Sequence, residues 1–137
     1  MPTLPVKIRL DIVTPDRLLL SEEVDEVTFP GSEGYLGILP GHLPLLTTLG
    51  IGILSYHRGG RKFVFAASGG FAEVLGDRVI VMASSVERPE EVDVERARSA
   101  KERAERLLAS REPVDVERAM AALLRAVSRL QAADMRH

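Results

Sequence analysis

Cysteine is absent from the 137 residues, which excludes disulfide scaffolds, Cys-ligated zinc sites and thiol nucleophiles. Asparagine is absent too, and Gln131 is the single glutamine. Of the 18 basic residues only Lys7, Lys62 and Lys101 are lysine, leaving 15 Arg. An Arg-rich chain with almost no heat-labile amides points towards a thermophile, though a GC-rich genome also enriches Arg. Neither sign of charge is in excess: Asp and Glu number 20, and the net charge is −2. A nucleic-acid binder would concentrate Lys and Arg, so that class is set aside. The longest greasy stretch, Leu36 to Leu54, is broken by Gly37, Pro40, Gly41, His42, Pro44, Gly50 and Gly52. It therefore makes no membrane-spanning helix. Met1 to Pro5 lacks the basic, apolar and cleavage-site order of a signal peptide, so none is expected. Any membrane association is expected through partners.

What is present is a globular balance, 45% hydrophobic and 28% charged residues, distributed in two halves with different periodicity. From residue 5 to about 88 the pattern is that of strands. Val6, Ile8, Leu10 and Ile12 alternate with Lys7, Arg9 and Asp11, the period of a half-buried strand. Gly59-Gly60 supplies the positive φ of a two-residue hairpin turn. Pro30-Gly31, Gly69-Gly70 and Gly76-Asp77 mark further turns at short spacing, which indicates an antiparallel sandwich or barrel. Val79 to Ala83 is apolar on both faces, so one face lines the core and the second half of the chain is expected to cover the other.

Pro89 ends the strand pattern. Residues 93–110 and 115–135 then read as two helices separated by Arg111-Glu112-Pro113, an antiparallel αα-hairpin. Val-Asp-Val-Glu-Arg-Ala opens both, at residues 92–97 and 114–119. Asp93 and Asp115 are placed to cap the free amides, and Glu95 and Glu117 suit the positive end of the dipole. At about 100° per residue, Val116, Ala119, Met120, Leu123, Leu124, Val127 and Leu130 form an apolar sector. Arg118, Arg125, Arg129 and Arg136 form a stripe nearly opposite, expected to be free when the hairpin is packed. The first helix offers mainly Ala97, Ala100, Ala104, Leu107 and Leu108, a thin apolar face. A weakly held, detachable hairpin is expected.

Catalytic patterns are missing. Gly31 to Gly37 lacks the Gly-Lys-Ser/Thr ending of a phosphate loop. His42 and His57 have no companion ligands at metal spacing, and Ser68, Ser84 and Ser85 lack the strand-turn-helix setting of a hydrolase nucleophile. No catalytic residue and no metal site are assigned, and the chain is read as acting by binding.

Gly31-Ser-Glu-Gly-Tyr-Leu-Gly-Ile-Leu-Pro-Gly-His-Leu-Pro-Leu-Leu-Thr47 resembles the signature of the epsilon subunit of F-type ATP synthases. Gly69 to Val74, Val79 to Ala83 and Val92 to Ala97 follow in the same order and spacing. The resemblance implies a β plus α fold: an antiparallel β-sandwich of about ten strands over residues 1–88, then a mobile regulatory hairpin over residues 89–137. It implies a non-catalytic rotor-stalk subunit of the proton-translocating synthase, at the cytoplasmic face of the bacterial membrane. Its partners would be the gamma subunit, the c-ring and, when the hairpin extends to restrain hydrolysis, the alpha and beta subunits. Ser32, Glu33, Tyr35 and His42 match the region meeting the c-ring and gamma. No cofactor is required, but ATP is a candidate regulatory ligand of Glu87, Asp93, Arg96, Ala97, Arg103, Arg125 and Arg129. Arg118, Arg125, Arg129 and Arg136 are the candidate inhibitory docking stripe. The competing classes are a free-standing β-sandwich binding module with a dimerising hairpin, and a nucleotide-hydrolysing enzyme. The latter would need a water-activating set that the residues do not offer.

Overall fold

The computed structural model describes residues 6–135. Its strands are β1 (Ile8–Val13), β2 (Leu18–Val24), β3 (Glu26–Gly31), β4 (Gly34–Ile38), β5 (His42–Thr48), β6 (Ile51–Arg58), β7 (Arg61–Gly76) and β8 (Arg78–Glu87). A single 3₁₀ turn, Pro89–Glu91, leads to helices α1 (Val94–Ala109) and α2 (Val116–Asp134). The strands form one sheet in the order β2-β1-β8-β7-β6-β3-β4, with β5 added on β7.

The sheet becomes a sandwich because β7 changes partner along its 16 residues. Arg61 to Ser68 pair with β6, whereas Phe71 to Gly76 pair with β5. The change falls at Gly69-Gly70, with φ of +70° and +112°. A Cβ on Gly70 would sit 1.9 Å from the Met82 carbonyl oxygen, so only glycine fits there. The expected chain reversal at this pair is thus a bend inside one strand, which is one reason the described residues form eight strands rather than about ten. β1 runs parallel to β8, a departure from a purely antiparallel sheet. β1 and β8 lie far apart in the chain and are not joined by a hairpin, so nothing forces them to run antiparallel.

Both layers share one core. Ile8, Leu10 and Ile12 of β1 are buried with Phe29 of β3, Ile38 of β4, Leu54 of β6 and Val74 of β7. The Gly59-Gly60 turn forms with φ of +59° and +76°.

The hairpin also begins where its Asp residues dictate: Asp93 accepts from the Arg96 amide and Asp115 from the Arg118 amide, each at 3.1 Å. α2 lies on β6 and β7. It therefore does not cover Met82, which is 43% exposed, contrary to the cover expected over Val79 to Ala83. The helix settles where outward side chains are small enough for close approach: Ser55, Ala66, Ser68 and Ser85.

Candidate functional site

A cleft of about 780 Å³ opens between α1, α2 and the end of β8. Six of the seven residues expected at a ligand site line it: Glu87, Asp93, Arg96, Ala97, Arg103 and Arg129. Arg125 does not. It faces a neighbouring crevice against Ser68, Ser85 and Ser128, since on α2 it points more directly at the sheet. Glu91, Glu95, Ser99 and Ala100 complete the wall and were missed. Their signal was the helical step: residues 96, 99, 100 and 103 share one face of α1.

The cleft is electrostatically divided. Arg129 Nε donates to Glu87 Oε1 at 2.6 Å, with both side chains about one-third exposed. This pair joins hairpin to sandwich, and among the described residues no other ion pair does. Arg96 and Arg103 make no ion pair among the described residues, and seven positions apart they lie on one side of α1. Glu87, Glu91 and Asp93 stand at the linker side. Two free guanidinium forks facing several carboxylates suit a ligand that is anionic at one end and rich in hydrogen-bond donors at the other.

The docking stripe is not free as expected. Arg118 is exposed, but Arg125 and Arg129 are half-buried against the sandwich, and Arg136 lies outside the described residues. The apolar sector instead faces partly outward, with Val116, Met120 and Leu124 at 58%, 45% and 47% exposure. The wheel anticipated one buried face, whereas α2 has two. Ala119 and Ala126 are buried on one side, and Ser128 and Ala132 are buried more than 100° further round the helix.

The expected c-ring and gamma residues lie toward the two ends of β5. Ser32 and Glu33 occupy the β3–β4 turn, next to the Gly31–Leu49 bridge that ends β5. His42 begins β5 opposite Gly76, so the length of that strand, about 20 Å at 3.3 Å per residue, separates them. Tyr35 is 57% exposed, and its hydroxyl accepts from the Ile53 amide at 2.9 Å. It lies across Gly52, where a Cβ would come within 2.3 Å of that oxygen.

A second surface was missed. Phe71 and Met82 are register partners, and Leu46 pairs with Glu73 two residues further along β7. With Leu75 they form an outward apolar patch in which each is at least 43% exposed. A patch of neighbouring large side chains, unlike scattered ones, marks an interaction surface. The doubly apolar run Val79 to Ala83 was its trace in the sequence.

Comparison with known proteins decides the family. Residues 7–89 match the ATP synthase, Delta/Epsilon chain, beta-sandwich domain, and residues 90–134 match the long alpha-helix domain of the same chain. The chain belongs to the ATP synthase delta/epsilon chain family. It is 50% identical to the ATP synthase epsilon chain of Desulforamulus reducens over 92% of this chain and 96% of that one. Identity to the epsilon chain of Nitratidesulfovibrio vulgaris is 52%, over 90% and 93% of the two chains. A chain of the Euglena gracilis mitochondrial ATP synthase superposes with a TM-score of 0.80 at 28% identity, covering 98% of this chain and 85% of that one. The resemblance seen in Gly31 to Thr47 is therefore borne out, and so is the reading of a non-catalytic rotor subunit of the ATP synthase complex. No helix among the described residues is long and apolar enough to cross a membrane.

Proposed function

We propose that this epsilon-family chain couples rotation through its sandwich and restrains ATP hydrolysis through its hairpin, with ATP in the cleft favouring the folded state. The observation that carries the reading is the single clasp: Glu87 and Arg129 join hairpin to sandwich and also line the cleft. Anything bound there acts on the contact that holds the hairpin down. A volume of about 780 Å³ is within the roughly 300–1,000 Å³ of small-ligand sites. Arg96 and Arg103 would meet phosphate oxygens, while Asp93 and Glu91 would accept from the ribose or base. Ligand at its dissociation constant would add about 0.4 kcal/mol to the folded state, and a hundredfold excess about 2.7 kcal/mol.

On the sandwich, the Leu46, Phe71, Leu75 and Met82 face suits gamma, and the Ser32-Glu33 turn with Tyr35 suits the c-ring. His42, at the other end, would serve gamma rather than the ring. These partners would place the chain peripherally at the cytoplasmic face of a bacterial membrane. Extension of the hairpin would free Arg125 and Arg129 to join the already exposed Arg118 against carboxylates on the alpha and beta subunits.

Calorimetry tests the cleft: ATP should bind the intact chain and bind Arg103→Ala much more weakly. No heat at millimolar ATP would remove the nucleotide from the reading. Restrained hydrolysis by a reassembled complex lacking residues 89–137 would remove the regulatory role. The exposed Val116, Met120 and Leu124 favour one rival, a dimerising hairpin, which sedimentation of the free chain as a stable dimer would support.

A further inference from the structure

The first residues of β7 and the start of the linker line a second, smaller cavity of about 170 Å³. Three of its lining residues are cationic: Arg61 and Lys62, consecutive at the start of β7 and so flanking the strand edge from either face, and Arg88 from the linker. The Arg61 guanidinium lies 5.1 Å from the centre of the Phe63 ring, and that of Arg88 lies 5.4 Å from the centre of Phe65. A guanidinium laid on a ring uses its face for the π cloud and keeps its in-plane N–H donors available.

Their charges are poorly compensated. Arg58, also over Phe63, is neutralised by Glu22 at 2.6 Å. Among the described residues Arg61 and Lys62 have no carboxylate at ion-pair distance, and Arg88 has only Glu91, 3.9 Å from its Nε. Glu90, on an exposed rim, is the one acid in the lining. Three such cations around a concavity, in a chain of net charge −2, create a focused positive potential. The space is too small for a nucleotide and accommodates a single tetrahedral anion.

We propose that this cavity binds a phosphate-type oxyanion, held between Arg61 and Lys62 of the sandwich and Arg88 of the linker. It shares no lining residue with the larger cleft and does not depend on nucleotide binding there. Met135 at the end of α2 forms one wall, so the site is complete only with the hairpin folded. By linkage, the anion stabilises that state.

The test titrates inorganic phosphate into the full chain while amide NMR shifts are followed. Saturable shifts at Gly59 through Lys62 and at Arg88 are expected, and they persist at the same phosphate concentration in Arg103→Gln, which weakens any occupancy of the larger cleft. In Arg61→Gln/Lys62→Gln, two exposed positions, phosphate should bind at least about tenfold more weakly, with the circular dichroism spectrum unaltered. Shifts spread over every arginine and reproduced by chloride at equal ionic strength would mean an adventitious ion only. Unchanged phosphate affinity in the double variant, with a lowered melting temperature, would show instead that the cations offset the α2 C-terminal dipole. Either result overturns the proposal.

Discussion

The sandwich and the hairpin are built from different side chains. The sandwich encloses Phe29, Phe65, Ile8, Leu10, Ile12, Ile38 and Leu54, all essentially without exposure. The hairpin buries Ala97, Ala104, Ala119, Ala126, Ala132 and Ser128, and leaves Leu107, Val116, Met120 and Leu124 at 45% exposure or more. Full burial of a Leu, Ile or Phe side chain contributes about 1.5–3 kcal/mol, whereas a methyl group contributes under about 1 kcal/mol. One half is made to stay folded through every turn of the rotor. The other is laid on it along a seam of alanines and serines with one ion pair, an arrangement that permits release.

The largest effect should come from the core. Phe29→Ala is expected to cost about 3–5 kcal/mol by removing a fully buried ring, read from urea unfolding of the whole chain. Truncation after Arg88 should leave the remaining sandwich folded by circular dichroism. An unfolded truncation would show that the two halves form one cooperative unit and break the comparison.

Next comes the seam. Ala132→Leu, at a position with no exposure, should overpack it and weaken hairpin docking by about 1–3 kcal/mol. Hydrogen exchange would speed up in α1 and α2 and stay unchanged in β1, β3 and β8. Equal acceleration in the strands would contradict a separable hairpin.

The clasp is weaker still. Glu87→Gln should loosen the hairpin by about 1 kcal/mol or less, since both partners are about one-third exposed and the pair is screened. Raised salt should mimic it in the parent chain and add nothing in the variant. A salt effect of equal size in both would assign the sensitivity elsewhere.

The smallest effect concerns acid. A hydrogen bond from Ser21, then the hydrogen bond and charge of Arg78, hold the Asp11 carboxyl below its ordinary value. A depressed carboxylate contributes stability that is present above its unfolded value near pH 3.9 and lost as pH falls through the folded one. The parent sandwich should therefore lose stability more steeply than Asp11→Asn below about pH 4, as measured by melting temperature. Identical slopes would mean that Asp11 is not linked to folding.

Much of this was legible in the residues. The alternation of Ile8 to Ile12 marked β1, although Val6, expected in the same strand, lies outside it and is 81% exposed; Gly59-Gly60 marked the hairpin between β6 and β7, and the two Asp caps marked both helix starts within a residue, because each is a local backbone requirement. Six of the ten cleft residues were among the seven that the family resemblance implied. Arg125, and the exposure of Met120 and Leu124, did not follow. A helical wheel reports which side chains share a direction, not how many neighbours the helix will meet.

By itself, then, the sequence determined the two halves, their boundary near Pro89, the caps and the turns, since φ preference, periodicity and capping act over a few residues. Tertiary structure alone decided the parallel pairing of β1 with β8, the bend at Gly69-Gly70 that makes two layers of one sheet, and the sheet face on which α2 rests. It also joined Glu87 to Arg129 across 42 positions and placed His42 away from Ser32. Those outcomes depend on which surfaces can approach closely once the chain has closed, and small residues at Ser55, Ala66 and Ser85 acquire their meaning only when a helix lies against them.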